Sequence, residues 1–327
     1  SIFMLLIPMV SIMGLAYLVS ILLKKPISYS LSPTLSIIIG CLYFALIFEV
    51  LQTTTMILLF FGIILPSIIK LSKLGHLTIT QNLSSTTLLF FIMFCASLVL
   101  VLSNKPIFYW DDFTHWAFLV KELVFFDGIK RDLNIYYEYP PGTAVFSYFF
   151  LKPYGVFFPK EFAESLALTS QVTLCLGFFA HPLNTIYIRN KVYALFFCIF
   201  LIIICYTVGE GFSSMMVDHI LGCIFAASVC CLILRNDDED WLLPSLSSAV
   251  TLTMIKSSGI IFSFFIIFII SLIILAKLKG KNKNYNTIYE IMKKLSAVAI
   301  AFAFCLIIRD FWNSFLDYKN LSFGFQK

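Results

Sequence analysis

Residues 110–115 read Trp-Asp-Asp-Phe-Thr-His and follow an apolar run long enough to cross a bilayer. Ionisable groups beside lipid are costly, so two adjacent carboxylates there mark a site. Asp111 or Asp112 could act as a general base or as a ligand to a divalent ion such as Mg or Mn. The plainer reading is a helix N-terminus, where carboxylates suit the macrodipole. Adjacent helical residues point about 100° apart, so only one of the pair faces a cleft. A helix is expected to start at Asp112, carry Thr114, His115 and Trp116 in its first turn, and run through Lys121 and Glu122. About twenty-five residues on comes Glu138-Tyr139-Pro140-Pro141-Gly142. The prolines and glycine stiffen the chain and open a helix at 142. Glu138 lies among Tyr136, Tyr137 and Tyr139. Aromatics beside a carboxylate serve sugar stacking and interfacial belts equally well.

Three further positions carry charge where apolar residues would otherwise be expected. Asp218-His219 opens an apolar span, so Asp218 needs a partner, whether a structural ion pair or a functional group. Lys256, in Thr-Met-Ile-Lys-Ser-Ser-Gly, separates two apolar runs. A snorkelling lysine or a cation holding a lipid phosphate would both fit. Arg309, followed by Asp310 and Trp312, could grip a phosphate with bidentate geometry.

The remaining motif chemistry is negative. No GxSxG, P-loop, GxGxxG or HExxH pattern occurs, and the four histidines lack metal-ligand spacing. The nine cysteines all lie in apolar runs and read as small buried hydrophobes. Zinc enzymes and nucleotide hydrolases are thereby disfavoured.

The elements that must position these residues are membrane helices. Of the 327 residues 60% are apolar and 13% charged, with a mean hydropathy of +0.94. Soluble domains are about 45–50% apolar and about 25% charged. The net charge of +5 therefore bears on topology and not on nucleic-acid binding. A span needs about 20 apolar residues. Ten candidate spans cover 2–23, 31–51, 53–70, 86–103, 161–183, 192–209, 214–234, 241–255, 257–276 and 293–312. Residues 142–152 are too short to cross and are expected as a re-entrant or surface helix. With that segment not crossing, Lys24, Lys25, Lys70, Lys73, Arg189, Lys191 and the lysines of 277–283 share the cytoplasmic side, as does the solvated acidic run 237–240. The loop 104–160, the 209–213 turn, Lys256 and the tail after Arg309 then share the outer side. The expected organisation is an N-terminal helical part (1–103), an outer loop (104–160) and a C-terminal helical part (161–327).

In this order the pieces resemble the membrane glycosyltransferases of the GT-C fold that use polyprenyl-phosphate sugars, above all the aminoarabinose transferase and protein O-mannosyltransferase group. Asp112-Phe-Thr-His-Trp-Ala stands where that family carries its catalytic acidic motif. Glu138-Tyr-Pro-Pro-Gly stands where a proline motif starts a surface helix. Val217-Asp218-His219, Lys256-Ser-Ser-Gly259 and Arg309 with Trp312 complete the series over roughly residues 86–315. The resemblance implies an all-α polytopic bundle with short amphipathic helices in an outer loop. It implies sugar transfer to a lipid, glycan or protein acceptor at the outer face of a bacterial plasma membrane. Asp112 would be the base, with Asp111 or Asp218 supporting it or binding a cation, and Lys256 and Arg309 would meet the donor phosphate. His115, Glu138, Tyr139, Asp218 and His219 would line the substrate. Two features depart from the family: four spans precede the acidic loop where one is usual, and the chain stops where further spans usually follow, as a fragment would. A lipid or glycolipid transporter is the alternative, although such proteins bind near mid-membrane within internal repeats, and no repeat is evident here.

Overall fold

A computed structural model describes residues 2–71, 83–104, 106–107, 109–130, 137, 139–207, 214–235, 241–276, 285–319 and 321. Among these the regular secondary structure is all helical: α1 (Ile2–Leu23), α2 (Ile27–Ile47), α3 (Leu51–Leu71), α4 (Leu83–Leu102), a π-helical turn (Asp112–Trp116), α5 (Ala117–Phe126), α6 (Gly142–Phe157), α7 (Glu164–Phe178), α8 (Ala180–Arg189), α9 (Lys191–Thr207), α10 (Asp218–Ile233), α11 (Leu242–Ile255), α12 (Gly259–Ala276) and α13 (Tyr285–Tyr318). Glu138, the 209–213 turn, Lys73, the acidic run 237–240 and the lysines of 277–283 lie outside the described residues.

Each of the ten apolar stretches contains helix, and the protein is an integral membrane protein by the length and apolarity of its helices. Within the described residues four helices suffice singly to cross a bilayer: Phe3–Leu23, Ile27–Ile47, Gly259–Ala276 and Ile288–Tyr318. The pair α7 and α8 supplies a fifth if taken as one span bent by 48°. Pro182 lacks the N–H that would bond the Phe178 carbonyl, which explains the bend. Other apolar helices, such as Asp218–Ile233 and Leu242–Ile255, are shorter than about 20 residues. Large apolar side chains stay exposed along α9, α12 and α13, including Phe196, Phe200, Phe265 and Phe268. Such outward surface suits lipid.

Helices in lipid gain from close approach through small residues. A Cβ on Gly14 would lie 1.8 Å from the Gly62 carbonyl oxygen, so α1 and α3 cross backbone to backbone. Ser11 Oγ donates to the Leu58 carbonyl at 3.1 Å beside that crossing. Within the core, Ser36 of α2 meets Thr251 of α11 at 2.6 Å and donates to the Ser247 carbonyl. The three stretches expected as separate parts interleave: α2 packs against α6, α7, α8 and α11, and α4 packs against α7.

One end of the bundle collects the parts of interest. Tyr43 near the end of α2 donates to the Ile308 carbonyl of α13. Ile107, just after α4, donates its N–H to Glu164 at the start of α7. Gly142 at the start of α6 abuts the backbone of Met254 near the end of α11. Six residues, 158–163, connect the end of α6 to Glu164. The segment expected as a re-entrant or surface helix is buried from Gly142 through Pro153, among α1, α2, α5, α7 and α11. Cys41 also departs from expectation, being exposed, while Cys175, Cys198, Cys223, Cys231 and Cys305 are buried.

Candidate functional site

The acidic motif forms a π turn closed by the Ala117 N–H on the Asp112 carbonyl. Single π turns concentrate at functional sites because they redirect side chains that an α-helix would stagger. Here the turn drives the two acids apart. Asp111 is exposed and Asp112 is 0% exposed. Asp112 Oδ1 accepts the Met215 N–H at 2.9 Å and the Ser214 hydroxyl at 3.1 Å. Ser214 Oγ also accepts the Met216 N–H at 2.9 Å. Asp112 thus ties the motif to the segment leading into α10, about a hundred residues away. The sequence reading named Asp112 and Asp111 as the catalytic carboxylates; burial and these two bonds hold Asp112 in place. Its neighbour Asp111 is exposed to solvent.

Three residues beyond Met215 stands Asp218, in the first turn of α10. Its Oδ1 lies 2.6 Å from Lys256 Nζ. Acid at a helix N-terminus and base at a helix C-terminus both suit their macrodipoles, since Lys256 directly follows α11. The side chains are 60% and 20% exposed respectively, so solvent screens much of the attraction. Lys256 Nζ also lies 5.9 Å from the Trp116 ring centre and 5.7 Å from that of Tyr139. These are cation–π distances. Trp116 and Tyr139 stack at 5.1 Å, and the His115 ring sits 6.3 Å from Tyr139. His115 Nδ1 shares a 2.6 Å hydrogen bond with Thr114 Oγ1. His219 is half-buried in the first turn of α10.

Two glycines hold this arrangement. A Cβ on Gly142 would lie 2.4 Å from the Met254 carbonyl oxygen, and one on Gly259 would lie 1.9 Å from that of Leu252. Only glycine lets Tyr139-Pro140-Pro141 approach the end of α11, and only glycine lets α12 fold back against it. The Lys256 carbonyl accepts the Gly259 N–H at 2.8 Å, closing the Lys-Ser-Ser-Gly turn. Ser263 adds a hydrogen bond to the Ala249 carbonyl.

Behind the turn a cleft is lined by Pro140, Thr253, Ser257, Ile260, Arg309, Trp312 and Asn313. It offers about 80 Å³, room for a few waters or one phosphate group. Arg309 is exposed at its edge and has no carboxylate partner among the described residues. Asp310 is exposed beside it.

The structure therefore brings together the turn bearing Asp111, Asp112 and His115 with Tyr139, Asp218 and Lys256, and sets Arg309 at the cleft behind the Lys256–Gly259 turn. The candidates for a cation were Asp111, Asp112 and Asp218. No group of three His, Cys, Asp or Glu converges among the described residues. Asp112 Oδ1 and Asp218 Oδ1 already hold the donors named above.

Several supporting residues gave no signal in the sequence. Ser214 acts through its hydroxyl and Met215 through its N–H, and no pattern announces either. Buried Glu122 accepts the Lys130 N–H at 2.5 Å and the Tyr137 hydroxyl at 3.0 Å. Burial pushes its carboxyl above the usual range, outweighing those two donors, which act in the opposite direction. Asp127, with φ 55° at the end of α5, meets Lys152 at 2.5 Å and accepts the Tyr148 hydroxyl, which clamps α5 to α6. Tyr154, bonded to Glu161, is pushed up to about 12.

No protein-family model matches the chain, and neither a curated protein nor a solved structure matches it.

Proposed function

We propose that this protein is a membrane glycosyltransferase that moves one sugar from a polyprenyl-phosphate carrier to an acceptor hydroxyl. The acceptor is a lipid, a glycan or a protein. The reaction is placed at the outer face of a bacterial plasma membrane, in the building of cell-envelope glycans. One observation carries this reading. An exposed carboxylate, a lysine–carboxylate pair on stacked aromatics and an arginine-edged cleft gather at one end of an apolar bundle, from segments spread over residues 110–313. Scattered polar groups converging at a cleft are what a catalytic site requires.

The chemistry follows from the charges. Asp111 accepts the proton of the attacking hydroxyl. The acceptor oxygen bonds the anomeric carbon from the face opposite the phosphate, so configuration inverts. The bond from carbon to phosphate oxygen breaks and its electron pair leaves with the phosphate. Lys256 and Arg309, on the two sides of one turn, offset that growing charge, the kind of term that often dominates catalysis. Asp112 holds the turn in place, and Trp116 and Tyr139 offer ring faces to the sugar. A transporter would want its charges near mid-bundle, whereas these lie at one end.

Transfer of a radiolabelled sugar from a polyprenyl-phosphate donor, in membranes containing the protein, tests the proposal. Labelled product that vanishes in Asp111→Asn is expected. No product from any polyprenyl-phosphate sugar would overturn it.

A further inference from the structure

The Tyr137 hydroxyl has one hydrogen and three oxygens around it. It lies 3.1 and 3.0 Å from Glu122 Oε1 and Oε2, and 3.2 Å from the Lys130 carbonyl oxygen. The Lys130 N–H donates to Glu122 Oε1 at 2.5 Å. These contacts are shielded from water: Glu122 is 2% exposed and Tyr137 1%. With Glu122 ionised, the single phenolic hydrogen must serve three acceptors, and lone pairs face one another in a dry site. One added proton removes the conflict. Glu122 Oε2–H donates to Tyr137 Oη, Tyr137 Oη–H donates to the Lys130 carbonyl, and the Lys130 N–H returns to Glu122 Oε1. Each hydrogen then has its own acceptor and the ring closes.

The charges nearby leave that proton in place. The Lys130 ammonium, 3.9 Å from the Phe126 ring centre, favours the carboxylate, but burial disfavours it by more. Lys121 of α5 pairs with Glu164 at 3.6 Å, and Lys152 of α6 pairs with Asp127, so each has a carboxylate of its own. The π turn before α5 adds Asp111, Asp112 and His115.

The position of the ring in the chain links it to the site. Trp116 immediately precedes α5, and Glu122 lies within that helix. Tyr137 belongs to the segment that returns from the end of α5. Two residues on, Tyr139 stacks on Trp116 at 5.1 Å and lies 5.7 Å from Lys256 Nζ. Two residues reach at most about 7 Å. Fixing Tyr137 on the side of α5 therefore limits where Tyr139 can go and favours its place on Trp116.

We infer that Glu122 is a protonated positioning residue, whose hydrogen-bonded ring with Tyr137 and the Lys130 backbone holds Tyr139 on Trp116 as a platform for the sugar. The use of the platform rests on the proposed transfer reaction; the protonated ring does not. Loss of the proton removes a hydrogen bond from the ring, so the platform loosens as pH rises through the folded pKa of Glu122.

Two measurements on the full chain, in a detergent without carbonyl groups, need no turnover. At about pH 6, above the ordinary glutamate value of about 4.3, the wild type is expected to show the infrared carbonyl band of a protonated carboxyl group. Glu122→Gln is expected to lack it, while its amide N–H takes the place of the acid proton and closes the same ring. With 5-fluorotryptophan in place of tryptophan, the fluorine signal of position 116 is assigned as the one missing in Trp116→Phe. It is expected to titrate together with the carbonyl band in the wild type and to stay fixed in Glu122→Gln. No band, or a band that survives in Glu122→Gln, would overturn the protonated ring. A position-116 signal that ignores the titration of the band would overturn its link to the platform.

Transfer supplies the third measurement. Tyr137→Phe keeps the aromatic ring and removes the hydroxyl. It is expected to raise KM for the polyprenyl-phosphate sugar about threefold to tenfold, the worth of one aromatic contact, with kcat unchanged. Wild-type KM in that variant would overturn the positioning role. If Tyr137→Phe fails to fold, the ratio of wild-type KM to that of Glu122→Gln carries the test, because the titration of Asp111 is common to both and cancels. That ratio is expected to rise with pH, and a flat ratio would overturn the role. Both spectroscopic results with no sugar transfer from any donor would leave the ring and its hold on Tyr139 standing and remove the transferase instead.

Discussion

Two adjacent carboxylates have opposite surroundings, and mutating each tests whether one serves stability and the other the proposed transfer. Asp112→Ala removes the acceptor of two donors, the Met215 N–H and the Ser214 hydroxyl, at a position with no solvent access. A buried donor stripped of its acceptor costs about 1–3 kcal/mol. Two of them, with partial relief because the serine hydroxyl can rotate to another acceptor, give about 2–5 kcal/mol. That is a large share of the roughly 5–15 kcal/mol that holds a protein folded. Asp112→Asn keeps one acceptor oxygen and should recover most of the loss. Asp111→Asn, at an exposed position, should leave stability within about 0.5 kcal/mol. It should cost transfer about 10²–10⁴-fold, the usual range for a general base. The assay is paired: the temperature at which half of the detergent-solubilised protein stays monodisperse, and the rate of sugar transfer at a temperature where every variant is folded. The expected pattern is a drop of several degrees for Asp112→Ala with residual transfer, and no drop for Asp111→Asn with transfer abolished. Unchanged heat tolerance in Asp112→Ala would refute the anchoring argument. Full transfer in Asp111→Asn would refute its role as base.

Other perturbations test the surroundings. Lys256→Met should lower transfer about 10²-fold or more, as loss of one charge-stabilising donor does, and shift heat tolerance little because its pair with Asp218 is half in solvent. A large loss of stability would show the pair to be structural. Gly142→Ala forces a Cβ to 2.4 Å from the Met254 carbonyl oxygen, an overpacking worth about 1–3 kcal/mol, and should displace Tyr139 and Pro140; wild-type heat tolerance and transfer together would show that the backbone yields freely there. Glu122 has a folded pKa raised by burial, so its contribution to stability is full below the unfolded value of about 4.3 and is lost as pH rises through the folded value. Wild-type heat tolerance should therefore fall relative to that of Glu122→Gln as pH rises from about 4 towards neutral, and parallel curves would count against the raised pKa.

The helical framework was legible because a bilayer leaves few alternatives. Long apolar runs must satisfy their backbones internally, so Ile2–Leu23 and Gly259–Ala276 could be read almost to the residue. The placing of α6 was harder. Its sixteen residues are too few to cross, but nothing local says that Gly142 will meet a carbonyl of Met254 and bury the helix. The pairing of Asp218 with Lys256 was partly legible, since a carboxylate opening an apolar helix demands a partner. Its partner's identity came from topology, which sends α10 down and α11 back so that the N-terminus of one meets the C-terminus of the other.

The order of roles within Asp111-Asp112 could not be read at all, and the reason is physical. Helical phase says that one acid faces inward and one outward, but not which. That choice is made by Ser214 and Met215, whose hydroxyl and N–H need an acceptor and lie about a hundred residues away. A resemblance in sequence aligns motifs and assigns the base to the residue that matches. Burial distinguishes the neighbours: Asp112 finds two donors and is held by them, and the proposed reaction gives the proton-accepting role to exposed Asp111. The same logic separates the two cations. Lys256 finds Asp218 and is held by it, while Arg309 finds no carboxylate among the described residues and edges a cleft.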